Sequence, residues 1–382
     1  MIEPILDGAN LYRAARQLTV AVQNGIELQR VEFVSRNAQR LLPCDRAWNE
    51  NQRFGYFLFL PARLRSDAVA VILNGLNDSS YRKFFPWAAS LARAGLPALI
   101  FPTAMLMNRR PRAWITPAAT ARAFAARSAR VPDATATNAV LSARVAEQPL
   151  SQLHDALQTA DDVADLAGQL HGGDFALSDG SRPFPRGTRV HLLGYSLGGY
   201  VALALQVLAR LPPDSRVVTF CSGAAVRGSD SSRASPVSPY ILDSAAAALL
   251  LAELDGLHAR LETLDPVGRV LVQLLTGSTP ALREQLARLG QALTVYASRS
   301  DRVVPAEGIV ANLGRVDAVF DTGCHEYPFN LSDLRDPNAS RLIANSHRVG
   351  RNFETEFRLF VAAVARTFSA DYIDIPPLTA ST

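Results

Sequence analysis

The feature that most constrains this chain is Gly194-Tyr195-Ser196-Leu197-Gly198-Gly199, set between the compact apolar run Arg189 to Tyr195 and the apolar stretch Leu197 to Leu211, which Pro212-Pro213 stops. The first reads as a strand and the second as a helix. Turning from one to the other within so few residues forces the serine into a strained backbone conformation, and small neighbours such as Gly194 and Gly198 let the two elements approach that closely. The serine hydroxyl then stands above the strand ends. The helix points its N-terminus at the same spot, so the Leu197 amide and the helix dipole both favour negative charge there. A bare G-x-S-x-G arises by chance in roughly one chain in ten of this length. Its place after a strand and before a helix gives the motif its meaning.

The surrounding pattern repeats strand and helix. Val217 to Cys221 is a further short apolar run, so the region from 189 to 221 has the β-α-β rhythm of a parallel sheet. Upstream, residues 9 to 23 read as an amphipathic helix and Ile26 to Phe33 as a half-buried strand. Gly55 to Leu60 and Ala68 to Leu73 read as strands, the second ending in the loop Asn74-Gly75-Leu76-Asn77-Asp78. A helix is expected from Tyr81 to Ala94, stopped by Gly95, then a strand from Ala98 to Phe101 closed by Pro102. Residues 103 to 150 show no clean period and read as an insertion, followed by a helix from Ser151 to Leu170.

After the loop Gly228 to Pro239, residues 240 to 290 carry only helical signals, so 228 to 290 is expected to form a helical cap. The sheet rhythm resumes with Leu293 to Ala297, a helix from Ala306 to Leu313, and Val316 to Phe320. A last helix starts at the cap-like Asn352 and gathers Phe353, Phe357, Phe360, Val361, Val364 and Phe368 on one face. The tail after Tyr372 reads as loosely held. The expected fold is α/β: an open, mostly parallel twisted sheet with helices on both faces and a helical cap insertion. Residues 1 to 50 would pack a helix and first strand on a core made of 51 to 227 and 291 to 372. At 382 residues, one such body with insertions accounts for the length.

Composition narrows the function classes. Apolar residues at 48% and charged residues at 19% belong to ordinary globular proteins. The net charge of +4 rests almost wholly on arginine, Lys83 being the only lysine. The densest arginine run, Arg109, Arg110, Arg112, Arg122, Arg127 and Arg130, lacks the interleaved aromatics of a single-strand binding surface, so a solvated insertion is expected and no nucleic acid. Cys44, Cys221 and Cys324 have neither zinc-site nor disulfide spacing, which fits a reducing compartment. With no signal-like hydrophobic region and no run of apolar residues long enough to span a bilayer, a cytoplasmic location without a membrane span is expected.

A serine at its free pKa is a weak nucleophile and needs a base held by a third group. Asp301, in Ser298-Arg299-Ser300-Asp301-Arg302-Val303-Val304-Pro305, follows the strand ending at Ala297. His325, in Gly323-Cys324-His325, follows the strand ending at Phe320. Functional groups of open parallel sheets gather at such strand ends. On these motifs the chain resembles the α/β-hydrolase superfamily, similar to its cap-bearing esterases, thioesterases and acyltransferases, over most of residues 55 to 370. The resemblance implies Ser196 as nucleophile, His325 as general base and then acid, and Asp301 as the carboxylate that fixes the histidine. It also implies an oxyanion hole from the backbone N–H groups of Leu197 and Leu76. Asn74 stands where that family commonly has histidine.

Other residues have competing readings. His347 is the rival base and Asp230 the rival acid. His191 reads as a sheet residue, His154, His171 and His258 as solvated helix positions, and Cys324 as packing. The expected activity is cleavage of a carboxylic ester through an acyl-enzyme, with a small, partly apolar acyl substrate and no metal or cofactor. Two alternatives stay open: a thioesterase or acyltransferase acting on a CoA- or carrier-bound acyl group, and a non-catalytic binding protein on the same fold.

Overall fold

The computed structural model describes residues 20–23, 25–61, 67–226, 241–323, 325–326, 328–330 and 353–369. They form a nine-stranded sheet. Its strands are β1 (Val20–Gln23), β2 (Ile26–Val34), β3 (Arg53–Pro61), β4 (Ala68–Leu73), β5 (Ala98–Phe101), β6 (Arg189–Tyr195), β7 (Val217–Phe220), β8 (Leu293–Ser298) and β9 (Ala318–Phe320). The order across the sheet is β1-β2-β3-β5-β4-β6-β7-β8-β9. The first three pair antiparallel, β3 lies antiparallel to β5, and every other pairing is parallel. This is the α/β-hydrolase fold.

Burial on both faces explains why the central strands are continuous apolar runs. In β4 the side chains of Val69, Val71 and Leu73 enter one core and those of Ala68, Ala70 and Ile72 the other, as the two-residue period of a strand requires. The helices of eight or more residues are α1 (Phe85–Arg93), α2 (Pro117–Ser128), α3 (Ala139–Glu147), α4 (Ser151–Gly172), α5 (Leu197–Val207), α6 (Ser244–His258), α7 (Pro266–Thr276), α8 (Pro280–Arg288), α9 (Ala306–Leu313) and α10 (Phe353–Phe368), among the described residues. Helices α1 and α10 cover one face; Phe357, Phe360, Val364 and Phe368 of α10 are buried there with Trp87 of α1. Helices α4, α5 and α7 cover the other.

Several expectations are corrected. Residues 20 to 23, read as the end of a helix, form β1, paired Val20 to Gln29 through Gln23 to Ile26. The sequence Asn-Gly that follows is a hairpin signal that outweighs a short helical period, and Gly25 takes φ +74°. Helix α1 begins at Phe85, four residues later than expected, with Pro86 in its first turn. Residues 103 to 150 are an ordered region holding α2 and α3.

The arginine run is not uniformly solvated. Arg109 is fully buried, donating to Asp162 at 2.7 Å, and Arg127 pairs with Asp243, while Arg112, Arg122 and Arg130 are exposed. The expected helix over residues 9 to 19, the loop 228 to 239, Asp230, Cys324, His347, Asn352 and the tail after Tyr372 lie outside the described residues. Among those described, no helix is long and apolar enough to cross a membrane.

Candidate active site

The strand-to-helix turn is as tight as its glycines suggest. Ser196 sits at φ 50°, ψ −119°, a conformation strained for any L side chain. A β-carbon on Gly194 would lie 2.5 Å from the Gly199 Cα, and one on Gly198 would lie 2.6 Å from Leu73. A β-carbon on Gly199 would collide with Ser222. These glycines let α5 begin directly over the ends of β4 and β6. The amide of Ser196 donates to the Phe220 carbonyl at 3.1 Å, which ties the turn to β7.

Two further loops meet this serine. His325 Nε2 lies 3.0 Å from Ser196 Oγ, and His325 Nδ1 lies 2.7 Å from Asp301 Oδ2. A carboxylate at Nδ1 selects the tautomer that donates there, leaving Nε2 to accept the serine hydroxyl. The second oxygen, Asp301 Oδ1, accepts from the amides of Val303 and Val304, each at 2.8 Å. The sequence Asp-x-x-Val-Pro thus folds back on its own carboxylate and aims the other oxygen at the histidine. All three side chains are buried.

Burial by itself lowers the pKa of His325, but the charge of Asp301 and its hydrogen bond outweigh that penalty and hold the imidazole above its ordinary value. The Tyr195 ring stacks on the imidazole with centroids 5.3 Å apart. Burial pushes the Tyr195 phenol well above its usual pKa, and its hydroxyl donates to the His325 carbonyl.

The loop after β4 is firmly held. Asn74 is buried; its Oδ1 accepts from Thr103 N–H at 2.8 Å, its Nδ2 donates to the Gly75 carbonyl at 2.9 Å, and its own carbonyl accepts from Gly198 N–H at 3.1 Å. One side chain therefore joins the ends of β4 and β5, while its backbone reaches the start of α5. Gly75 donates to Asp78 Oδ2 at 2.7 Å, and a β-carbon on Gly75 would lie 3.0 Å from that of Ser196. Leu76 and Leu197 both line the cavity that opens at Ser196. The roles of Asn74 and Asp78 were not read from the sequence, because their partners lie on other loops.

That cavity encloses about 100 Å³. Its wall is built from Leu153 of α4, Leu250 and Leu254 of α6, Leu271 of α7, and Val303 and Val304 beside Asp301. Among the described residues, no charged side chain lines it. Cys221, Asp301 and His325 offer ligand atoms within 4.8 Å of one another, but a cation there would compete with the bond from Nδ1 to Asp301.

The remaining histidines among the described residues are tied into the fold. His191 is buried, accepts from Arg216 N–H at 3.0 Å through Nδ1, and stacks on Phe368. His154, His171 and His258, expected to be solvated, are half-buried with Nδ1 at 2.7 Å from the Arg40 carbonyl, 3.0 Å from the Thr188 carbonyl and 2.6 Å from Thr276 Oγ1.

A family model matches residues 14–255, well over half of the chain. The chain belongs to the family of unknown function DUF6051. No curated protein matches it. Among solved structures, this DUF6051 member is similar in chain course to carboxyl esterase 2 of the fungus Tuber melanosporum, at 13% identity and TM-score 0.46, covering 92% of this chain and 90% of that one. A thermostable esterase of Pseudomonas putida gives 11% identity and TM-score 0.45, covering 96% and 91%. The esterase domain of a Rhodothermus marinus protein gives 14% and 0.38, covering 89% and 98%.

Proposed function

We propose that this protein is a serine hydrolase that cleaves carboxylic esters of an apolar acyl group through an acyl-enzyme on Ser196. The observation that carries the reading is the unbroken chain from Ser196 Oγ through His325 to Asp301, at 3.0 and 2.7 Å. In the first step Ser196 Oγ attacks the ester carbonyl carbon as its proton passes to His325 Nε2. The carbonyl oxygen becomes an oxyanion beside the N–H groups of Leu197 and Leu76 and the N-terminus of α5. The carbon–oxygen bond to the alcohol then breaks, and His325 returns the proton to the departing oxygen. Water repeats the sequence on the acyl-enzyme and releases the acid. Asp301 holds the imidazole in its productive tautomer and offsets the charge it gains.

The cavity supports an uncharged acyl group over an anionic one, since leucine and valine side chains dominate its wall and, among the described residues, no arginine lines it. Helices α6 and α7 roof Ser196 on that side, and in this reading residues 241 to 290 act as the cap. Of the arginine run that a CoA phosphate could meet, Arg109 and Arg127 are held by Asp162 and Asp243, while Arg112, Arg122 and Arg130 are exposed. Turnover on p-nitrophenyl esters of graded chain length, set against acyl-CoA thioesters with and without an acceptor alcohol, tests the reading. Ester hydrolysis lost in Ser196→Ala is the expected result. A folded protein inert to every ester would overturn it in favour of a binding role, and faster turnover of acyl-CoA would move the substrate class.

A further inference from the structure

The chain holds one lysine among its 39 basic residues, and that lysine lies against the site. Lys83 Nζ is 2.6 Å from Asp78 Oδ1 and donates to the Glu326 carbonyl at 3.0 Å. It also lies 4.6 Å from the centroid of the Tyr195 ring, the ring that stacks on His325. Asp78 accepts the Gly75 amide through its other oxygen at 2.7 Å. We propose that Lys83 is a positioning residue, a latch whose ammonium ties the loop carrying Leu76 to the loop carrying His325 across the face of Tyr195. The inference rests on the reading of Ser196, His325 and Asp301 given above.

Three features favour a positional role. The pair is mostly withdrawn from water, with side-chain exposures of 15% for Lys83 and 9% for Asp78. An ion pair so placed adds little net stability over apolar packing, so its main consequence is geometric. The three partners are of different kinds: a carboxylate, a carbonyl and a ring face. A compact ammonium with three rotatable donors meets all of them, whereas the planar fork of arginine, used everywhere else in this chain, suits two acceptors in one plane. Finally, the two loops joined here carry, on the proposed mechanism, an oxyanion donor and the base. A displacement of about 1 Å between such groups costs on the order of a hundredfold in rate.

The latch also places a positive charge near the imidazole. Among the described residues, the charged and titratable groups facing His325 are Asp301 from the loop after β8, Cys221 after β7, Tyr195 of β6, Glu326 on its own loop, and Lys83. Asp301 and Glu326 favour the imidazolium, and Lys83 opposes it. Removing the ammonium raises the pH at which the base becomes neutral and able to work.

The second-order rate of labelling by a fluorophosphonate, followed against pH, tests the inference without a known substrate. Lys83→Met is expected to react about ten- to a hundredfold more slowly at neutral pH. Its rate–pH midpoint should lie higher, since the ammonium that opposes the imidazolium is gone. Lys83→Arg should keep the midpoint and recover part of the rate. An unchanged rate and midpoint in Lys83→Met, or a slower rate with the midpoint unmoved, would overturn the proposal. Should Lys83→Met not fold, Asp78→Asn decides: it keeps the cation but weakens the latch, so slower labelling with no upward movement is expected, and full-rate labelling overturns the proposal. A wild-type protein that is never labelled overturns the functional reading and the latch with it. Labelled wild type with indifferent Lys83 variants overturns the latch alone.

Discussion

At Ser196 the backbone holds a conformation that costs on the order of 1–3 kcal/mol, and the hydroxyl it presents is met by His325 at 3.0 Å. If the three side chains work as a unit, Ser196→Ala and His325→Ala each lower turnover by on the order of a millionfold. Asp301→Asn, which spoils the tautomer and leaves the shape, lowers it about ten-thousandfold. Steady-state kinetics on the best p-nitrophenyl ester measures these effects, and full activity in Asp301→Asn would remove that residue from the account.

The pH dependence has a definite sign. His325 must be neutral to accept a proton, and Asp301 raises its pKa, so kcat/KM falls as pH drops through a midpoint above the ordinary histidine value of about 6.5. A pH–rate profile with its acid limb below that value would contradict the assignment. The positions of Ser196, Asp301 and His325 were legible because each lies in the loop or turn that follows a short apolar run. The parts played by Asn74, Asp78 and Lys83 were not, because they depend on contacts such as Asn74 with Thr103 and Lys83 with Glu326, which no local pattern encodes.

Strands β4, β5 and β6 were legible to the residue because sheets covered on both faces demand continuous apolar runs, and turn residues bound them. Helix α2 was not, because it buries no residue and so shows no apolar stripe to read. β1 was lost for another reason: the short run Val20 to Gln23 satisfies either period, and its pairing with β2 decides between them.

The junction of β6 with α5 gives the sharpest test at this scale. Gly198→Ala sets a methyl 2.6 Å from the Leu73 carbonyl oxygen, so backbone must shift. A destabilisation of about 2–4 kcal/mol is expected in denaturant unfolding, together with loss of activity. A variant as stable and as active as the parent would show that the turn is looser than described.

Across the molecule, residues 103–150 and 241–290 pack against one another. Helix α3 lies against α6, Arg127 of α2 forks onto Asp243 at the N-terminus of α6, and Ser244 bonds Asp133. Sequence alone placed these segments more than 80 residues apart and gave no sign of their contact. The fold also carries an acid-sensitive point far from the site. Burial first, then the nearby charges of Arg189 and Arg216, depress His191 to about 3. The unfolded chain therefore takes up this proton first. Stability from the neutral ring is complete above about pH 6.5 and drains as pH falls toward 3, by at most about 1.4 kcal/mol per unit. Urea unfolding of the wild type between pH 7.5 and 5 should show that slope, and His191→Leu should flatten it; equal slopes would remove His191 as its source.

The central claim is that Ser196 is a nucleophile made reactive by His325. Intact-mass and peptide mapping after brief exposure to a fluorophosphonate tests it most directly. One adduct on the peptide containing Ser196, absent in Ser196→Ala and nearly absent in His325→Ala, is the predicted result. An adduct on another residue, or equal labelling of the Ser196→Ala protein, would contradict it.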